Sequence, residues 1–131
     1  MTFIRHTDQP WTEIRPGVKW QFIAGHFAAP EEQVGPGLTM FYQVVQPGFG
    51  VPRHLHQQGD ESMTVLEGKL QGFVDGEVEM LEPGMTVVVP EGKVHSFRNV
   101  GEAESRVMFV ITASALRPEF LEDPKGVPAP Y

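Results

Sequence analysis

The chain of 131 residues is long enough for one domain that buries a core without covalent staples. It contains no cysteine, which excludes a disulfide framework and any metal site ligated by thiolates. Seventeen acidic residues against ten basic ones give a net charge of −7, a balance that argues against a nucleic-acid partner.

The N-terminal sequence lacks the basic stretch and the apolar run of a signal peptide. No apolar run approaches the roughly 20 residues that span a bilayer. We therefore expect a cytoplasmic protein that has a small-molecule partner and no membrane association.

Glycine and proline are spread along the chain and separate short apolar runs, a pattern typical of many short strands joined by tight turns. Asp75-Gly76 is the sharpest hairpin signal. Strands at this spacing favour an all-β antiparallel sandwich or barrel. In chain order, the predicted strands are Val18–Phe27, Leu38–Gln46, Arg53–His56, Glu61–Glu67, Lys69–Val74, Glu77–Leu81, Thr86–Val89, His95–Asn99 and Arg106–Thr112.

Helical periodicity is weak except near the C-terminus. There we expect Ser114 to cap a short helix that extends through Phe120 and Leu121. Residues 122–131 are rich in proline and are expected to form an extended tail. Neither a repeat nor a domain boundary is visible, so we expect one domain over residues 1–131.

Three histidines and one glutamate are spaced to meet. Residues two apart on a strand face the same side, so His54 and His56 present both imidazoles to one face. Glu61 opens the next predicted strand, and His95 begins a distant one. In a closed barrel these inward faces lie opposite each other across the lumen. Three imidazoles and a carboxylate suit a divalent transition metal, whereas an unpartnered buried carboxylate would be costly.

The spacing of the two segments resembles the paired motifs of the cupin superfamily. The first reads Gly-x5-His-x-His-x4-Glu-x6-Gly over residues 48–68, and the second reads Gly-x5-Pro-x-Gly-x2-His-x3-Asn over residues 84–99. The resemblance implies a double-stranded β-helix, the RmlC-like jelly-roll barrel. The expected fold is therefore an all-β cupin barrel with a short C-terminal helix. The resemblance also implies one metal ion at His54, His56, Glu61 and His95.

The overall build also resembles the small single-domain, quercetin-dioxygenase-like cupins. Arg53 and Arg98 flank expected ligands but turn outward by strand parity, and Lys93 lies in a loop. We therefore expect no inward cation that would hold a phosphate. One of Tyr42 and Gln43 is expected to face the pocket, and the strand register decides which.

A metal at the mouth of an apolar lumen suits a small apolar or aromatic molecule that contains oxygen. We favour a dioxygenase-like oxidoreductase with iron as its metal and Glu61 as its base; manganese, nickel, zinc and copper are alternatives. The competing functions are a non-redox lyase, cyclase or isomerase, and a non-catalytic metal- and ligand-binding cupin. We also expect a homodimer in which the run Val18–Phe22 pairs across the interface.

Overall fold

The structure is a computed structural model that describes residues 3–27, 37–113, 115–116 and 118–121. A 3-10 helix, His6–Asp8, precedes the strands. The strands are β1 Thr12–Arg15, β2 Val18–Ala24, β3 His26–Phe27, β4 Thr39–Val45, β5 Gly50–His56, β6 Glu61–Glu67, β7 Leu70–Val74, β8 Glu77–Leu81, β9 Thr86–Val89, β10 His95–Asn99, β11 Ser105–Ile111, β12 Ala115–Leu116 and β13 Pro118–Phe120.

Two antiparallel sheets form the molecule. The larger has the order β1-β2-β4-β11-β6-β9, and the smaller has the order β13-β5-β10-β7-β8. A short parallel pair joins β12 to β3. This arrangement confirms the all-β jelly-roll fold. Among the described residues, no helix is long and apolar enough to cross a membrane.

Most predicted strands agree with the observed ones to within one residue at each end, and the larger differences are as follows. The run Val18–Phe27 is divided at Gly25, which has a φ of 69°, into β2 and β3. The strand expected to begin at Arg53 begins three residues earlier, and β1 was not predicted. β2 pairs with β1 over Val18–Trp20 on one edge and with β4 on the other, and the expected pairing of the run Val18–Phe22 across a dimer interface stays a prediction.

The predicted C-terminal helix is wrong. Leu116 and Phe120 lie in the strands β12 and β13, and β13 pairs with β5. Pro118 explains the difference, because a proline disfavours helical backbone at the residue before it and has no N–H to donate. Ser114, the proposed cap, and residues 122–131, the proposed tail, lie outside the described residues.

The alternation of side chains along each strand determines which residues enter the core. On β4 and β11 every second residue is buried, and on β6 the buried residues are Glu61, Met63 and Val65. This is the parity expected for a sheet with one face against the core. Apolar side chains from both sheets meet in one cluster that includes Phe41, Phe97 and Phe109. The barrel interior is therefore aromatic.

A bulge in β5 aims the first histidine inward. Val51 and His54 both face the interior although they are three residues apart, because the register with β10 shifts between them. Pro52 lies at this shift, where a missing N–H is tolerated. Gly50 lets the strands approach closely, since a Cβ there would clash with the carbonyl oxygen of Phe97.

Candidate metal centre

Three imidazoles converge inside the barrel. His54 and His56 come from β5, and His95 is paired directly with His54 at the start of β10. One nitrogen from each ring lies within 4.8 Å of one nitrogen from each of the other two, and all three side chains are buried. The described residues thus contain a three-histidine cluster that could hold a metal ion.

Backbone carbonyls orient two of the rings. Nδ1 of His54 donates to the carbonyl oxygen of Pro52 at 2.8 Å, and Nδ1 of His95 donates to that of Lys93 at 2.9 Å. A carbonyl oxygen only accepts, so each Nδ1 carries the proton and each Nε2 keeps its lone pair. These Nε2 atoms are then the available ligand atoms, as in metal sites whose histidines donate their other N–H to the protein.

Glu61 enters the same space from β6 and is 3% exposed. Its Oε2 lies 2.6 Å from Nε2 of His56 and 3.6 Å from Nε2 of His95, although it is not a member of the three-histidine group. The contact with His95 is longer than a hydrogen bond, and the contact with His56, although short, does not form one. All three atoms are buried without a hydrogen-bond partner among the described residues. A cation between them would satisfy all three, so this donor set fits a metal.

The electrostatics favour the protonation states that a metal requires at His54 and Glu61, but not at His95. Burial, together with the neighbouring His95, lowers the pKa of His54 to about 3. Burial alone would raise the pKa of Glu61, but the two close imidazoles outweigh it and lower that pKa to about 2. Burial likewise opposes the charged form of His95, but Glu61 raises its pKa above the ordinary value. At neutral pH the site therefore holds a neutral His54 and an ionised Glu61.

Two loops are tied together beside the cluster. The Glu91 amide N–H donates to Oδ1 of Asp60 at 2.9 Å, and the Gly59 N–H donates to Oε1 of Glu91 at 2.8 Å. The Gly92 N–H also donates to the carbonyl oxygen of His56 at 3.1 Å. These bonds join the loop after β5 to the loop before β10 and restrict the His56 backbone. Neither Asp60 nor Glu91 was predicted to have this role.

A cavity of about 280 Å³ opens onto the cluster, near the lower end of the sizes usual for small-molecule pockets. Gln43 faces this cavity, whereas Tyr42 lies on the opposite face of β4 under the guanidinium of Arg106. Of the two candidates Tyr42 and Gln43, it is therefore Gln43 that faces the pocket. The lining comprises Ile14, Arg15, Trp20, Phe41, Gln43, Val51, His54, His56, Glu61, Phe97, Phe109, Leu116, Pro118 and Phe120.

The first and last described strands, β1 and β13, contribute to the cavity wall. Their contribution was not predicted from the sequence. Phe120 on β13 lies with its ring centroid 5.2 Å from that of His54, and the guanidinium of Arg15 on β1 lies 5.2 Å above the Phe120 ring. Arg15 is therefore a cation in the cavity wall that was not predicted. A signal was present, because the Pro16-Gly17 pair after Arg15 is a turn dipeptide and predicts a hairpin from β1 to β2.

The other singled-out polar residues lie away from the cluster. Asn99 donates to the carbonyl oxygens of Val45 and Ala103 and accepts from the Gly101 N–H, so it stabilises the turn after β10. Arg53 stacks 4.5 Å above the Phe73 ring, and Arg98 is exposed. Both arginines turn away from the cavity, as predicted.

Two curated proteins are similar to this chain in sequence. The tetracenomycin polyketide synthase protein TcmJ of Streptomyces glaucescens is 36% identical over 85 residues, which are 64% of this chain and 57% of that protein. Quercetin 2,3-dioxygenase of Bacillus subtilis is 29% identical over 89 residues, which are 65% of this chain and 26% of that enzyme. The chain spans about half the length of the first curated relatives that it matches.

A solved structure shows the fold over nearly the whole chain. The polyketide cyclase RemF from Streptomyces resistomycificus superposes with a TM-score of 0.74, covering 96% of this chain and 89% of its own at 18% identity. The sequence also matches the Cupin_2 family, the cupin domain, over residues 41–111, which are more than half of the chain. The chain therefore belongs to the cupin family, as its paired motifs predict.

Proposed function

We propose that this cupin is a metal-dependent dioxygenase that acts on a small aromatic or enolic molecule through that molecule's oxygen atoms. The observation that carries the proposal is the cluster of three imidazoles beside the buried carboxylate of Glu61 at one apolar cavity. We assign His54, His56, Glu61 and His95 as ligands of one divalent ion. We propose Fe(II) as that ion, with manganese, nickel, zinc and copper as the alternatives that the donor set accepts.

When bound, such an ion supplies Lewis acidity towards the substrate oxygens and, if it is redox-active, access to O2 chemistry. The chain's own residues do the rest. The backbone carbonyls behind His54 and His95 hold the two Nε2 atoms in position. The aromatic walls exclude water from the substrate and provide a surface on which a flat ring can pack.

Glu61 is the candidate base. A pKa of about 2 makes it a weak base while it lies against the imidazoles of His56 and His95. We expect it to accept the proton of a substrate hydroxyl once the bound substrate has replaced those contacts. Its burial in the cavity wall places it within reach of a molecule that fills the cavity.

The composition of the cavity favours dioxygenation over a cyclisation that loses water. Among the described lining residues, the side chains that ionise are Arg15, the histidines and Glu61. Glu61 can take a proton, but apart from the assigned ligands no described lining side chain can readily donate one to a leaving hydroxyl. A dioxygenase needs only the base, because both atoms of O2 enter the product. The quercetin 2,3-dioxygenase relative supports this choice.

The second candidate is a non-redox cyclase, for which the ion would only stabilise an enolate. The polyketide synthase relative TcmJ favours it, and the RemF match over nearly the whole chain is consistent with it. The two candidates share a substrate class, an aromatic or enolic molecule rich in oxygen. They differ in their need for O2.

The deciding experiment is oxygen uptake by the iron-loaded full chain with flavonols, β-diketones and catechols. We expect uptake of one O2 per substrate, entry of two labelled atoms from ¹⁸O2 into product, and no turnover in an anaerobic chamber. Equal turnover without O2, or with zinc in place of iron, would favour the cyclase. Substrates recovered unchanged under all conditions would favour a non-catalytic binding protein.

We also propose that the chain is a single domain over residues 1–131 and that it forms a homodimer in the cytoplasm. Light scattering of the full chain at micromolar concentration tests the assembly. A mass equal to one chain would exclude the dimer.

A further inference from the structure

Gln43 is a buried polar side chain in the wall of the cavity. It lies in the middle of β4, between Trp20 of β2 and Val107 of β11, and is 5% exposed. The other inward residues of this strand include the buried Phe41 and Val45. Position 43 is thus an amide in a place where strand alternation and packing favour an apolar side chain.

The amide oxygen is unsatisfied. Oε1 of Gln43 is buried and has no hydrogen-bond partner within the part of the chain that the structure describes. Buried polar atoms nearly always have partners, because the lost hydration is otherwise not replaced. An amide that is kept at this cost indicates that a bound molecule supplies the partner.

Gln21 shows that the fold can satisfy a buried glutamine. It lies on the neighbouring strand β2, pointing to the opposite face, and is also 5% exposed. Its Nε2 donates to the carbonyl oxygens of His6 and Gln9, at 2.8 and 3.0 Å. Two glutamines with equal burial therefore differ in one respect, since Gln21 fastens the N-terminal segment whereas Gln43 faces the cavity.

The cavity separates Gln43 from the metal centre along the sheet. Glu61 is level with Ile111 and Thr39 in the ladder of β6, β11 and β4. Gln43 lies four residues further along β4 than Thr39, which is roughly 13 Å of strand. A ligand that reaches both ends must therefore extend along the aromatic walls beyond the group that binds the metal.

We propose that Gln43 is a specificity-determining residue that binds a hydroxyl group of the substrate, remote from the oxygens that face the metal centre. An unpartnered carbonyl oxygen requires a donor, and a hydroxyl can donate to Oε1 while accepting from the amide N–H. A carboxylate or a ketone in its place would leave Oε1 unpaired. The substrate class is thus an extended aromatic molecule with a chelating oxygen pair at one end and a free hydroxyl at the other. This inference rests on the proposed function, because it names the substrate of the same site.

The test measures binding without turnover, so that its failure is separate from that of the proposed function. The zinc-loaded full chain is titrated without O2 with 3-hydroxyflavone and with its 7-hydroxy and 4′-hydroxy analogues. We expect the wild type to bind at least one hydroxylated analogue about five- to tenfold more tightly than 3-hydroxyflavone, as one buried hydrogen bond allows. Gln43→Leu should lose this preference and keep its affinity for 3-hydroxyflavone, and the matched variant Gln21→Leu should keep the preference.

A preference that persists in Gln43→Leu would overturn the proposal, as would a wild type that binds all three flavonols equally. If none of the three flavonols binds, the urea concentration at the midpoint of unfolding tests the proposal instead. Gln43→Leu should unfold at the same or a higher urea concentration than the wild type, whereas Gln21→Leu should unfold at a lower one. A lower midpoint for Gln43→Leu would show that the amide supports the fold, and would overturn the proposal. Oxygen uptake that is unaffected by Gln43→Leu on every hydroxylated flavonol would refute this inference and leave the dioxygenase standing.

Discussion

His54 and His95 are directly paired across β5 and β10, with their ring centroids 4.1 Å apart. The pairing comes from the backbone ladder, and each ring is further fixed by a carbonyl two residues before it in the chain. The relative position of the two imidazoles therefore does not depend on a bound ion. A site that is built before its metal arrives binds without the cost of ordering its ligands.

Removing one imidazole should abolish stable metal binding. We expect His95→Asn to lower affinity for divalent metal by more than the 10- to 100-fold that loss of an outer hydrogen-bond partner costs. His6→Asn is the matched control, because His6 is exposed and lies outside the cluster. Elemental analysis after dialysis should give about one ion per chain for the wild type and the control, and almost none for His95→Asn. Equal metal content in all three proteins would contradict the assignment.

Glu61→Gln separates the ligand role from the base role, because it keeps the shape of the side chain and removes its charge. We expect turnover to fall by roughly 10²- to 10⁴-fold, as for loss of a general base. Metal content should fall much less, since the three imidazoles remain. Glu67→Gln, at the exposed end of the same strand, should behave as the wild type. Unchanged turnover in Glu61→Gln would exclude Glu61 as the base.

The metal-free protein should lose stability in acid. His54 has a pKa of about 3 in the folded state against an ordinary 6.5, so its stabilising contribution is complete above pH 6.5 and is lost as the pH falls towards 3. Glu61 acts with the same sign between pH 4.5 and about 2. His95, whose pKa is raised, contributes fully below pH 6.5 and loses its contribution only as the pH rises above that value. His95 therefore does not contribute to the loss of stability in acid.

Urea unfolding in the presence of EDTA at pH 6.5, 5.5 and 4.5 measures this effect. The free energy of unfolding should fall by about 1.4 kcal/mol per pH unit for each proton by which the two states differ. His54→Asn should flatten the decline, and His6→Asn should leave it unchanged. If His54→Asn and the wild type decline in parallel, burial of a neutral His54 is not the cause.

Gly50 should be intolerant of any side chain. A Cβ at this position would clash with the Phe97 carbonyl oxygen, which is backbone and has little freedom to move. We expect Gly50→Ala to cost about 1–3 kcal/mol of unfolding free energy or more and to weaken metal binding, because the β5 bulge aims His54. Gly37→Ala is the control, since nothing lies within 4 Å of a Cβ there. Urea denaturation with equal midpoints for both variants would contradict the close approach.

The local alternation of residues was sufficient to predict which side chains share a face where one face of a strand is buried. Alternation predicts that Met63 and Val65 share the face of Glu61, and all three side chains are buried. The spacing His54-x-His56 likewise brings both rings to one face. The cavity amide could not be assigned in this way, because the choice between Tyr42 and Gln43 depends on the register of β4 against β2 and β11. That register is set by contacts between distant parts of the chain.

The two ends of the chain were beyond the reach of local pattern for the same reason. Phe120 reaches His54 because β13 pairs with β5, a contact between segments far apart in sequence. The local helical periodicity before it is weak, and Pro118 outweighs it. Arg15 reaches the cavity through a hairpin, and the Pro16-Gly17 turn is the signal in the sequence that indicates this hairpin. Both of these residues border the candidate site, so its walls were harder to predict than its ligands.

The most direct test is a crystal structure of the iron- or manganese-loaded chain, with anomalous scattering measured at the absorption edge of the metal. The account predicts a single peak about 2.0–2.2 Å from Nε2 of His54, His56 and His95, with a carboxylate oxygen of Glu61 at similar distance. No peak at this position at saturating metal, or imidazoles that face apart around empty space, would contradict the metal centre on which the proposed chemistry depends.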